Sequence, residues 1–260
     1  MTRAMPSASP ATEPPALHMI GRVVLAVLLA GIAAGLVMGV IQHVRLTPLI
    51  LEAEAFERAG DPASHSHGTT PEPGAVAESG GHDHDHGEGW MPENGWQRTL
   101  ATTVTAAMTG AGFAAILAAI SLLTGLQITR RNGILWGLCG FLAVTLAPAA
   151  GLPPELPGMA AADLLARQVW WVCTIAATAA GIYLIATQTR AFALVLAAVL
   201  ILAPHVIGAP VAPHGENLVP AELVARFVAN SIAANAVFWC IIGLLLGLGL
   251  DRTAKDIYAT

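Results

Sequence analysis

From Val23 to Gln42 the chain runs for twenty residues without a charged side chain. At ~1.5 Å per residue, about 20 helical residues cross the ~30 Å hydrocarbon core of a bilayer. Backbone polar groups in hydrocarbon must be satisfied within the segment, so this run is read as a helix rather than a strand. Five further apolar segments follow, giving helices at about 22–43, 99–123, 133–149, 169–187, 191–207 and 227–250. The predicted fold is all-α: a polytopic membrane protein with six transmembrane helices in residues 20–260, after a disordered cytoplasmic tail over 1–19. Composition excludes the alternatives. Hydrophobic residues make up 55% and charged residues only 11%, too few charges to cover a soluble surface and too much apolar mass for disorder. A net charge of −5 with no long basic patch excludes a nucleic-acid partner.

Absent motifs narrow the class. There is no Gly-x-x-x-x-Gly-Lys-Ser/Thr loop for ATP, no His-Glu-x-x-His and no Cys-x-x-Cys-His. Cys139, Cys173 and Cys240 lie singly inside apolar runs and read as small buried hydrophobes. The expectation is a protein that is not an enzyme and holds no tightly bound cofactor.

Basic residues orient the helices. With a cytoplasmic N-terminus, Arg130, Arg131 and Arg190 fall in the two short inner turns, and both termini are cytoplasmic. Of the 17 acids, all but Glu13, Asp251 and Asp256 then lie outside. Acids are weak orientation signals, so the outer negative field is read as function, a device that concentrates cations.

Part of the chain repeats. Residues 162–169 (ADLLARQV) and 221–228 (AELVARFV) agree at five of eight positions, and the preceding segments each end Leu-Ala-Pro, at Pro148 and Pro204. Helices 3-4 and 5-6 are therefore expected to form a parallel repeat, with Asp163 over Glu222 and Arg167 over Arg226. Acid–x–x–x–Arg also suits a helix start, through the dipole and i,i+4 pairing. The sharper reading makes Asp163 and Glu222 the flanks of a cation vestibule. Helices 3 and 5 offer only about 22 and 20 Å before their prolines, and short, proline-interrupted spans in corresponding places mark transporter binding sites.

The long outer loop has two parts. After a kink expected at Pro48, residues 49–58 read as an amphipathic continuation of helix 1 carrying Glu52, Glu54 and Glu57, with Glu54 in i,i+4 reach of Arg58. Residues 59–90 form a periplasmic His-rich tract with His65, His67, His82, His84 and His86. Neutral imidazole suits borderline divalent metals, and a disordered tract of this kind captures metal without selecting it by geometry. His43, His205 and His214 lie near the outer boundary. Glu155, restricted by the preceding prolines, and His205, just after Pro204, are expected to converge on one ion. Asn230 and Asn235 read as interhelical hydrogen-bond donors, and Gly31, Gly35, Gly39, Gly243 and Gly247 as packing seams.

Several blocks resemble one family: Pro48–Glu54 (PLILEAE), Leu152–Met159 (LPPELPGM), Ala162–Trp171 (ADLLARQVWW) and Pro204–Pro210 (PHVIGAP). They are similar to the CbtA family of bacterial cobalt transporter subunits, over nearly the whole chain. The resemblance implies a multi-pass inner-membrane protein of cobalt uptake linked to cobalamin biosynthesis, with a small one-helix CbtB-like membrane subunit as partner. The expected cargo is a divalent metal ion, cobalt first, with nickel and zinc as alternatives. The expected metal-handling residues are the five tract histidines with Glu52, Glu54, Glu155, Asp163, His205 and Glu222. The competing reading is a non-transporting membrane metal sensor or assembly scaffold in the same lipid bilayer.

Overall fold

A computed structural model describes residues 15–60, 95–212 and 218–258; within these there is no strand. The elements are α1 (Pro15–Ile41), α2 (Thr47–Gly60), α3 (Trp96–Thr124), α4 (Gly133–Gly140), α5 (Ala147–Ala149), α6 (Leu164–Thr187), α7 (Ala191–Ile207) and α8 (Ala221–Tyr258). Four helical stretches are long and apolar enough to cross a membrane: Met19–Arg58, Trp96–Thr124, Leu164–Thr187 and Ala221–Arg252. Gly133–Ala149 and Ala191–Ile207 are shorter apolar helices.

Two helices run on past a proline. A π-turn over Gln42–Leu46 joins α1 to α2, and another over Phe141–Leu146 joins α4 to α5. Each ends one residue before an X-Pro step, at Thr47-Pro48 and Ala147-Pro148. A proline ring in a regular helix clashes with the carbonyl four residues back and donates no hydrogen bond. Widening the preceding turn removes the conflict: the Thr47 N–H bonds Gln42 O, and the Ala147 N–H bonds Leu142 O. A π-turn thus stands where the kink at Pro48 was foreseen. Pro204 lies inside α7 near its end, with no π-turn before it.

Small residues set the packing. A side chain at Gly31, Gly35 or Gly39 of α1 would strike Gly110, Ala106 or Thr103 of α3, so these backbones touch. Gly133 and Gly137 of α4 meet Gly243 and Trp239 of α8 in the same way, and Gly249 of α8 faces Ala26 of α1. Gly181 of α6 packs on Ala197 and Ile201 of α7. Paired residue numbers run in opposite senses between α1 and α3 and between α4 and α8, and Trp170–Pro204 with Gly181–Ala197 does the same for α6 and α7, so these helices are antiparallel. The ends at Ile41, Trp96, Ala149, Leu164, Ile207 and Ala221 therefore share one end of the bundle. Without a hydrophobic force between helices in lipid, such close backbone approach is what holds them together.

The two repeated segments both open helices, in different registers. Asp163 is the N-cap of α6, whereas Glu222 already lies inside the first turn of α8. The chief partner of α4 is α8 and that of α7 is α6, so packing does not follow the expected hairpins. Asn230 and Asn235 also differ from expectation. Their amides donate to Arg226 O and Ser231 O, one turn back in the same helix, at 2.7 and 2.9 Å. Short polar side chains in a helix readily find the carbonyl one turn back.

Candidate functional site

The end where α2, α6 and α8 begin or finish gathers Glu52, Glu54, Glu57, Glu155, Asp163 and Glu222, while Asp251 and Asp256 sit at the opposite end of α8. The segment after α5 lies against α2 here. A methyl at Gly158 would stand 3.4 Å from Glu57 Cβ and 3.5 Å from Val219. Leu156 beside it is buried, and its backbone N–H bonds the Met159 thioether at 3.3 Å.

Two of the six acids at this end are tied to arginines from other elements. The Arg98 guanidinium of α3 donates to Glu54 at 2.8 Å, and Arg167 of α6 donates to Glu155 at 2.7 Å. Both pairs keep about a quarter of their side-chain surface exposed. The expected i,i+4 partners are displaced. Arg58 reaches only the backbone carbonyl of Glu54, at 3.1 Å. Asp163 caps α6 by accepting from the Ala166 N–H at 2.9 Å, which leaves Arg167 for Glu155. Each cross-element pair fastens an outer segment to the first turns of the helix that follows it.

The remaining acids, Glu52, Glu57 and Glu222, are exposed. His205 stands edge-on to Trp170, with ring centroids 6.2 Å apart. The Trp170 indole N–H donates to Pro204 O at 3.3 Å, so α7 is anchored to α6 one residue before His205. His43 meets the Thr99 hydroxyl at 3.3 Å. His65, His67, His82, His84, His86 and His214 lie outside the described residues. Among the described residues no three His, Cys, Asp or Glu side chains converge as a metal site. The structure thus brings Glu155 to Arg167 and His205 to Trp170.

A polar cleft went unread in the sequence. It occupies about 420 Å³ between α1, α3 and α8, and its polar wall includes Gln42, Thr102, Thr105, Thr109 and Asn235. Its signal was the threonine spacing i, i+3, i+7, which sets three hydroxyls on one face of α3.

Against the known families, one model, described as probable cobalt transporter subunit (CbtA), matches residues 20–251. The chain belongs to the CbtA family. No curated protein and no solved structure gives a match. CbtA is a family of transporter subunits, which makes cobalt the implied cargo and the apolar helices those of a multi-pass membrane protein. The match takes in both tethered acids, the polar cleft and all the packing glycines.

Proposed function

We propose that this CbtA chain is the membrane-spanning subunit of a divalent transition-metal uptake system, with cobalt as its cargo. It crosses the bacterial inner membrane six times, with both termini in the cytoplasm and the acid-bearing end in the periplasm. The His-rich tract over 59–90 captures metal there. The exposed carboxylates Glu52 and Glu222, with Asp163 at the start of α6, hold cations at the rim. Glu54 and Glu155 shape the entrance through their arginine partners, and His205 completes the vestibule beside Trp170. A one-helix CbtB-like subunit accompanies the chain.

The observation that carries this reading is the one-sided distribution of acids in a chain whose family carries metal. Six described acids lie at one end of the bundle, among Arg45, Arg58, Arg98, Arg167 and Arg226, and only Asp251 and Asp256 of the described acids lie at the other, with Arg22, Arg130, Arg131, Arg190 and Arg252. Acids concentrated at one mouth attract cations there, and the arginines of the two short turns at the other suit the positive-inside pattern. The test is uptake of radiolabelled cobalt by cells with and without the chain at limiting metal. Accumulation that depends on the chain is the expected result. Binding of cobalt without accumulation inside would instead make the chain a sensor or scaffold.

A further inference from the structure

The polar cleft has a floor. Phe113 and Phe238 line its deep end, and Trp239 joins them. Ring centroids are 4.8 Å apart for Phe113–Trp239, 6.3 Å for Phe113–Phe238 and 6.1 Å for Phe238–Trp239. The Trp239 indole is pinned by its N–H to the Thr145 hydroxyl at 3.2 Å, and Thr145 belongs to the second π-turn. Beyond the rings a second cavity of about 660 Å³ opens between α3, α4 and α6. It is mainly apolar, shares Phe113 with the cleft and reaches Gln127 and Asn132 at the other end of the bundle. The aromatic cluster therefore stands between the two cavities, which share Phe113.

The cleft holds a buried, unsatisfied acceptor. Gln42 Oε1 is buried and has no hydrogen-bond partner among the described residues. Gln42 also opens the first π-turn, so the turn that accommodates Pro48 carries this amide. Asn235 spends its amide nitrogen on Ser231 O, which leaves its oxygen as the acceptor. A buried amide oxygen with no donor costs free energy that a bound donor recovers. Water molecules coordinated to a divalent cation are strong donors. At ~30 Å³ per water, 420 Å³ accommodates a cation with its whole first shell. A neutral wall holds a hydrated ion weakly, which suits an ion that must also leave. The ring cluster below is an apolar constriction of the sort that stops a hydrated ion while it stays closed.

We propose that the Gln42–Thr105–Asn235 cleft is the outer half of the cation path, a site for a hydrated divalent cation, and that Phe113, Phe238 and Trp239 close it from the inner cavity. The choice of cation rests on the uptake reading above; the accessibility argument does not. The site differs from the rim acids in having no carboxylate in its wall.

The test uses the full chain with Cys139, Cys173 and Cys240 replaced by alanine. Thr105→Cys is exposed from the periplasmic side to a small cationic, membrane-impermeant thiol reagent, with Thr102→Cys as a second position should the first fail to fold. The introduced thiol is expected to react. Cobalt ions at about ten times their Kd are expected to slow that reaction about tenfold. The slowing is expected to vanish when Gln42→Leu and Asn235→Leu are added, which separates the cleft's own oxygens from capture by the new thiol. Ile116→Cys, on the wall of the inner cavity, is expected to stay unreactive until Phe113→Ala opens the partition. The proposal is overturned by an unreactive Thr105→Cys and Thr102→Cys, by cobalt protection that is absent or survives the two leucines, or by Ile116→Cys reacting with Phe113 intact. These readouts need no transport. A chain that gives no cobalt accumulation yet shows this protection keeps the cleft and loses the uptake reading.

Discussion

The two short apolar helices make an instructive pair. Gly133–Ala149 and Ala191–Ile207 are equally long, and both carry Leu-Ala-Pro near their ends. The first presents Gly133, Gly137 and Gly140 to α8, all buried, and absorbs its proline in a π-turn. The second buries only Ala197 and Pro204 and leaves Phe192, Val195 and Val206 largely exposed. One tripeptide thus sits in two environments. A glycine seam holds the α4 backbone against α8, and the turn before Pro148 widens into a π-turn. α7 has its seam only with α6, and its proline comes one turn before the helix ends. Glycine spacing, rather than the proline motif, decides which short helix belongs to the body of the bundle.

The largest expected effect separates these two helices directly. Gly137→Leu drives a side chain into the Trp239 carbonyl of α8, a backbone atom that cannot step aside. We expect a loss of about 3 kcal/mol or more, seen as collapse of the monodisperse peak in detergent. Val195→Leu on α7 adds a methylene to a side chain that is 62% exposed, and leaves the peak unchanged. Equal damage from both would erase the distinction.

The next prediction compares the residues that follow the two prolines. Glu155→Gln removes an ion pair whose partners are 27–28% exposed, so its structural cost is under about 1 kcal/mol. Cobalt uptake is nevertheless expected to fall at least about tenfold, or ~1.4 kcal/mol of barrier. His205→Ala is expected to do the same at every metal concentration. A fall in uptake that merely tracks lost protein would reduce both residues to packing.

A smaller effect probes the π-turn. Thr145→Val leaves the Trp239 indole N–H without its acceptor, at a cost of about 0.6–2 kcal/mol measured by thermal unfolding in detergent. Smaller still is the effect of the tract. Replacing His65, His67, His82, His84 and His86 with alanine is expected to weaken uptake at scarce metal and to leave maximal flux nearly intact. Loss of uptake at abundant metal would put the tract on the path itself.

Apolar runs made the helix positions legible, since burial in lipid demands about 20 uncharged residues whatever the neighbours are. Continuation of the first helix past Pro48 was legible, but the π-turn there was not, because a π-turn depends on what the widened helix rests against. Nor were the partners of Glu54 and Glu155. The local rule favours i,i+4, whereas Arg98 is 44 positions and Arg167 12 positions away, brought in by helix packing. The rim acids could be found from sequence because charge stands out in an apolar chain. The cleft could not, because Gln42 and three threonines acquire meaning only when α1, α3 and α8 surround them.

Cobalt entry into right-side-out membrane vesicles, followed by quenching of a trapped metal-sensitive dye, tests the central claim most directly. Vesicles with the intact chain are expected to accumulate cobalt added outside, and vesicles bearing Gln42→Leu with Asn235→Leu, at equal protein, are expected to match chain-free controls. Accumulation that does not depend on the chain, or that is unchanged by the two leucines, would contradict the account.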